Sequence, residues 1–301
     1  MPWSRSSSPS RRSDVIRPPR SGRTSSAHRF AAILIAAPML TAAACGGQSS
    51  KVQPTQTPVA AVQTSPSPMP EPSPSTSPTP SHVFVIVMEN RSYSEAIAGR
   101  YTAQLARQYG VATNYRGITH PSLPNYLAMT SGSTWGVTDD GFHPLPAGGL
   151  GSQLTSAGVS WRAYMEGMNN GCFNSRYPYA LKHNPFAYYG SACPAQIVPF
   201  TQFALDIAGP DVPRFVWITP GLCNDGHDCS TAVADAWLAR TVPTILATSA
   251  WKEGGVLFLT WSGAAYDHYS LLAAIEDELG VARLGAAGKA SPMTDLMERS
   301  G

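Results

Sequence analysis

The sequence predicts an α/β layered fold with a mostly parallel central sheet and helices on both faces. Three observations carry that prediction. The stretch His82-Val-Phe-Val-Ile-Val-Met88 is a continuous apolar, β-branched run, the pattern of a strand buried on both faces. Similar runs at Trp161–Met165, Phe215–Thr219 and Val256–Trp261 alternate with helical patterns at Tyr101–Tyr109, Leu150–Ala157, Thr231–Thr248 and Tyr269–Leu279. The segment from residue 82 to 301 is also long enough for one substantial core and too short for two. In the last helical pattern Leu271, Leu272, Ile275 and Leu279 make one apolar stripe, with Glu276, Asp277 and Glu278 mostly off it.

What precedes residue 82 is of another kind. Residues 1–44 carry seven Arg (5, 11, 12, 17, 20, 23 and 29) against Asp14, a charge of +6, which leaves −4 for the rest of the chain. Basicity confined to a leader argues against nucleic acid as a partner, because phosphate-driven affinity needs Lys and Arg on the folded surface. Phe30–Ala44 is an uncharged run of 15 residues ending in small side chains, too short for a membrane span and ordered like a signal peptide. The Cys45-Gly46-Gly47-Gln48 that follows resembles a bacterial lipoprotein lipobox, with Ala42 where Leu is usual, so Cys45 is the expected lipidation site. Ordinary cleavage leaving a free thiol is the alternative. Nine Pro and eleven Ser/Thr among residues 52–81 make a stiff, extended linker. The expected organisation is a signal peptide (1–44), a lipidated Cys and linker (45–81) and one domain (82–301). That places the domain outside the cytoplasm, as a membrane lipoprotein held through its N-terminal lipid anchor or as a secreted protein.

Four cysteines lie in the domain, Cys172, Cys193, Cys223 and Cys229. Their even number in an exported chain suggests two disulfides, and nearness favours 172 with 193 and 223 with 229 among three pairings. Their spacings lack the short Cys-x2-4-Cys knuckles of structural zinc.

In open α/β sheets ligands bind at the carboxyl ends of the strands, so polar residues there are the candidates. Glu89 and Asn90 end the first strand, where they suit a divalent cation or equally a strand-end cap. Thr119-His120-Pro121-Ser122-Leu123-Pro124-Asn125 places Ser122 at a turn into a short helix, as a nucleophile helped by His120 or a metal, or as a plain N-cap. Lys182-His183-Asn184-Pro185 and the loop Cys223-Asn224-Asp225-Gly226-His227-Asp228-Cys229 could hold phosphate or protonate a leaving group. A satisfied core histidine and a solvated turn are the bland alternatives. Thr138-Asp139-Asp140-Gly141 reads as a solvated turn, with a pocket rim as the alternative.

Five ordered segments, HVFVIVMEN (82–90), THPSLPNYLAMTSGST (119–134), YALKHNPFAYY (179–189), NDGHDCSTAVADAWL (224–238) and YDHYSLLAAIEDELG (266–280), resemble the bacterial phosphoesterase family. That family includes secreted acid phosphatases, phosphatidylinositol-3-phosphatases and phospholipases C of alkaline-phosphatase-like fold. The resemblance implies a phosphoric ester hydrolase acting on a phosphomonoester or phospholipid headgroup, with one divalent metal ion held by Glu89, Asn90 and Ser122. It implies catalysis by Ser122 and His227, and a pocket lined by His120, Asn125, Lys182, His183, Asp225 and His268. One departure matters. In the family the strand ending in Thr-Trp runs into an Asp-Glu pair that completes the metal site, then into a glycine-rich loop and another strand. Here Thr260-Trp261 is followed by Ser262-Gly263-Ala264-Ala265, so the pair and one family strand are missing, and Asp267 is the nearest candidate substitute ligand. Weak metal binding and a threatened fold are the expectation. The alternative function is accordingly a catalytically inactive member, a binding protein or a truncated gene product.

Overall fold

A computed structural model describes residues 82–261 and 266–296; the expected signal peptide, Cys45, the expected linker and the Ser262–Ala265 junction lie outside them. In chain order the elements are β1 (Val83–Val87), α1 (Tyr93–Ala96), α2 (Arg100–Gln108), β2 (Tyr115–Arg116), α3 (Ser122–Ser131) and α4 (Gly149–Ser156). There follow β3 (Trp161–Met165), α5 (Gly171–Asn174), β4 (Ile197–Pro199), α6 (Phe203–Ala208), β5 (Phe215–Thr219) and α7 (Thr231–Leu246). The described chain closes with α8 (Ser249–Lys252), β6 (Val256–Thr260), β7 (Tyr266–Asp267) and α9 (His268–Leu279).

Five strands form one parallel sheet in the order β4-β3-β5-β1-β6. β1 is apolar throughout because both of its faces are covered. Val83, Val85 and Val87 pack with Tyr126 and Met129 of α3, Leu150 and Leu154 of α4, and Leu271, Leu272 and Ile275 of α9. Phe84, Ile86 and Met88 pack on the other side with Trp237, Leu238, Val242 and Ile245 of α7. This is the layered α/β fold the sequence predicts.

Three details differ from the expectation. The helix expected over 231–248 ends at Leu246, because the Thr248 hydroxyl accepts the Trp251 N–H at 3.1 Å and caps the new helix α8. β4 is too short for a periodic signal, and its Pro199 suits the sheet edge it occupies. The fold expected to be threatened is intact among the described residues: β6 is the outer strand, and its Val256, Leu257 and Leu259 stay half-buried. After Trp261 the chain re-enters through β7, which pairs in parallel with β2, and runs directly into α9. Asp267 caps α9, accepting the N–H groups of Tyr269 and Ser270 at 2.9 Å each.

The two disulfides are Cys172–Cys193 and Cys223–Cys229. Among the described residues no helix is long and apolar enough to cross a membrane.

Glu276 is a further correction. It is fully buried, although the sequence stripe leaves it off the apolar face, because the segment after α9 folds back and Leu284 N–H donates to Glu276 Oε1 at 2.9 Å. Burial pushes its carboxyl up to about 8, against the Leu284 hydrogen bond and the charge of Arg283. The folded state therefore holds this proton more tightly than the unfolded chain, whose value is near 4.5. The associated stability is fully present below the unfolded value and is lost as pH rises through about 8. A loss of about 2 kcal/mol would lower the melting temperature by ~6 °C in a domain of this size. We expect such a drop between acidic and alkaline buffer, and a flatter profile for Glu276→Gln; an identical pH slope in the two proteins would sink this assignment.

Candidate active site

The centre lies where β1 ends against the first turn of α3. Pro121 is extended (φ −77°, ψ −158°), so Ser122 is the first residue of a 10-residue helix at its positive end. Glu89 leaves β1 buried, fixed by its own N–H, which donates to Asp225 O at 2.9 Å. Ser122 Oγ donates to Glu89 Oε2 at 3.0 Å. A hydroxyl at a helix N-terminus is thereby hydrogen-bonded to a carboxylate anchored at the carboxyl end of a central strand.

Behind this pair lies a buried polar group. His183 Nε2 is 3.6 Å from Glu89 Oε1, and His183 Nδ1 is 3.2 Å from Asp225 Oδ2, both close contacts without hydrogen-bond alignment. The ring of Tyr126 stacks on His183 with centroids 4.8 Å apart and planes 11° from parallel. Burial, and then the charges of Glu89 and Asp225, push the Tyr126 hydroxyl well up, so it stays protonated beside Glu89. Asp225 uses its other oxygen to accept His227 N–H at 2.7 Å, which shapes the disulfide-closed loop.

At the mouth, Lys182 Nζ bridges Asp140 Oδ2 at 2.9 Å and His227 Nε2 at 3.2 Å, and His227 Nδ1 is 2.7 Å from Asp228 Oδ1. With Nδ1–H donated to Asp228, Nε2 is the acceptor facing Lys182. Asp140 also accepts the Leu123 N–H at 3.0 Å. Partial burial raises the Asp140 carboxyl, but the bonds from Lys182 and Leu123 outweigh it and hold it below the usual carboxylate value. Asp140 is therefore not in a solvated turn; it ties the lysine to the first turn of α3. No local pattern around Asp140 marks this, because its partners Lys182 and Leu123 lie in other elements.

Asn125 serves the loop. Its Oδ1 accepts Ile118 N–H at 2.7 Å and Thr119 N–H at 3.1 Å, and its Nδ2 donates to Thr119 O at 2.7 Å and Pro121 O at 3.1 Å. His120, exposed, lines the cleft with Glu89, Asn90, Ser122, Asn125 and His268. His268 is buried, which lowers its imidazole to about 3, and its Nδ1 lies 2.5 Å from the Tyr115 hydroxyl. It is a neutral ring through the physiological range. Asn90 is exposed in the left-handed region (φ 49°).

Glu166 is a site-shaping residue that escaped notice, although it follows buried strand β3 as Glu89 follows β1. It accepts Gly221 N–H at 2.7 Å and Asn224 Nδ2 at 2.9 Å, and so holds the start of the Asp225–His227 loop.

The donors present do not fit a divalent metal. Glu89, Asn90 and Ser122 supply one carboxylate between them, and hard-cation affinity follows ligand number and charge. Among the described residues no group of three or more His, Cys, Asp or Glu stands where it could hold an ion.

The model of the Phosphoesterase family matches residues 98–274. The phosphatidylinositol-3-phosphatase of Mycobacterium tuberculosis is 31% identical over 247 residues, 71% of this chain and 82% of that protein. The phosphate-repressible acid phosphatase of Penicillium chrysogenum is 28% identical over 287 residues, 81% of this chain and 70% of that protein. The probable acid phosphatase of Kluyveromyces lactis is 29% identical over 250 residues, and the match spans 59% of its length.

Replacing Asn125 removes four hydrogen bonds from the loop that presents His120 and Ser122. Asn125→Ala should cost about 2–4 kcal/mol of stability in denaturant unfolding. A variant within about 0.5 kcal/mol of wild type would show that the loop holds itself.

Proposed function

The chain belongs to the Phosphoesterase family, and from that membership we propose that its hydrolysis of phosphoric esters runs through Ser122. The Ser122 Oγ to Glu89 Oε2 hydrogen bond at 3.0 Å is the observation that carries the reading. In it, Ser122 Oγ attacks phosphorus and its proton passes to Glu89. The N-terminal turn of α3 and Lys182 face the charge on the phosphoryl oxygens. Once Lys182 has turned from Nε2 to the phosphate and Nε2 has taken up a proton from solvent, His227, oriented by Asp228, passes that proton to the departing oxygen as the P–O bond to the alcohol breaks. Water then hydrolyses the phosphoserine and releases inorganic phosphate. Tyr126 and Asp225 hold His183 behind Glu89 and limit its freedom.

The substrate is a phosphomonoester, and the resemblance to a phosphatidylinositol-3-phosphatase supports a phosphorylated lipid headgroup as one such ester. Export through the Arg-rich leader, with anchoring at Cys45, would place the site where such headgroups are met. The absence of the Asp-Glu pair after Trp261 favours a second reading, phosphate binding without turnover.

The two readings separate on a chromogenic phosphomonoester. Ser122→Ala should lower the rate to background, at least ~1000-fold for loss of a covalent nucleophile. Lys182→Ala should raise KM more than it lowers kcat. A wild type indistinguishable from Ser122→Ala, yet protected by orthovanadate against thermal unfolding, would establish the binding protein instead.

A further inference from the structure

We infer that the divalent-metal centre implied by the family likeness is not built in this chain, and that Glu89 is committed to Ser122 directly in the cation's place. The inference concerns the same site as the proposed function but does not depend on turnover.

Four observations converge. The end of β6 contributes no acid: Thr260-Trp261 leads into Ser262-Gly263-Ala264-Ala265, so no carboxylate follows the strand at this junction. The nearest remaining acid, Asp267, is consumed as the N-cap of α9, both of its bonds going to backbone N–H groups through Oδ1. Bringing Oδ1 to the cleft would uncap a helix whose inner face is part of the core, and Asp267 is not among the residues that line the cleft. Glu89 itself has its two oxygens aimed at protein groups, Oε2 at the Ser122 hydroxyl and Oε1 towards His183 Nε2. Asp225, the other buried carboxylate nearby, lies on the far side of the imidazole from Glu89, since His183 meets Asp225 through Nδ1 and Glu89 through Nε2. The ring therefore separates the two acids and prevents them from chelating one ion. A cation in the cleft would find a single carboxylate, one hydroxyl, an exposed carboxamide and the imidazoles of His120 and His268, the latter with Nδ1 against the Tyr115 hydroxyl, and so less ligand charge than hard divalent ions need.

The arrangement also shows what Glu89 does without a cation. A metal would polarise the Ser122 hydroxyl and hold it in place; the Glu89 carboxylate, fixed through Asp225 O, holds the same oxygen by accepting its hydrogen bond. Glu89 is in that sense a positioning residue for Ser122.

The test uses the full chain, stripped with a chelator, incubated in turn with MnCl2, MgCl2, CaCl2 and ZnCl2, and desalted. Metal content is read by mass spectrometry and the melting temperature is followed as each salt is titrated. We expect less than about a tenth of an equivalent retained and no upward melting shift, where a ligand at about a hundredfold excess over its Kd would raise the midpoint by several degrees. About one equivalent retained by wild type and lost in Glu89→Gln would overturn the inference. Should Glu89→Gln fail to fold by circular dichroism, Asn90→Ala takes its place, since Asn90 is exposed and unneeded by the core. Metal that survives both substitutions lies away from this site and supports the inference. These readouts are independent of Ser122→Ala kinetics, so an inactive enzyme and a metal-bearing one remain distinguishable.

Discussion

The structure of the site depends on one buried carboxylate. Glu89 is held by the strand that precedes it and by a backbone bond to Asp225, so it cannot follow solvent. A buried acid is costly unless hydrogen-bonded; Ser122 meets that requirement, and the groups around the carboxylate come from two other segments. Ser122 arrives with α3, Tyr126 one turn later on the same helix, and His183 from the short turn Leu181–His183. The carboxylate thereby registers α3 against the sheet. It also fixes where a reacting oxygen sits, about 3 Å from a strand end and at the positive end of a helix.

Much of this was legible in sequence, for a definite reason. Strands buried on both faces are apolar without interruption, so β1, β3, β5 and β6 announce themselves, and the polar residues that end them are conspicuous. Glu89 stands out by that logic, Ser122 by its turn into a helix, and Lys182, His183, Asp225 and His227 by their local motifs and the family resemblance; the structure brings them together. The residues that were missed act on partners outside their own element. Asp140 looks like part of a polar turn until Lys182 and the N–H of Leu123 are seen to converge on it. Glu276 looks like the solvent side of α9 until the chain after the helix covers it. Periodicity reports what one element would bury alone; it carries no information about a segment that returns to cover the other face.

The missing strand shows what this fold can tolerate. A sheet edge is a liability when it is long, flat and apolar. Here β6 has five residues, Thr260 is buried rather than paired outward, and the half-buried Val256, Leu257 and Leu259 make a short edge. Because β1 takes its neighbours from β5 and β6 alone, removing a strand beyond β6 leaves the central ladder whole. The core-facing stripe of α9 still reaches Val83 and Val85. The departure that the family resemblance implies after Trp261 would therefore fall on the periphery of the packing and on the centre of the chemistry.

That separation changes the electrostatics of the site more than its shape. Two carboxylates and a divalent cation are mutually dependent: without the cation the acids would repel an incoming phosphate dianion, and without the acids the cation has little to hold it. A chain without the acidic pair that the resemblance implies would lack both partners of that balance together. What remains near Ser122 is one carboxylate already accepting a hydrogen bond, the end of a helix, and a lysine whose partners Asp140 and His227 keep it at the mouth. Such a site meets an anion with fixed dipoles and a single movable charge. Attraction for phosphate can survive this change; the capacity to activate a nucleophile then rests on Glu89 alone, which is why the geometry of one hydrogen bond decides between turnover and simple binding.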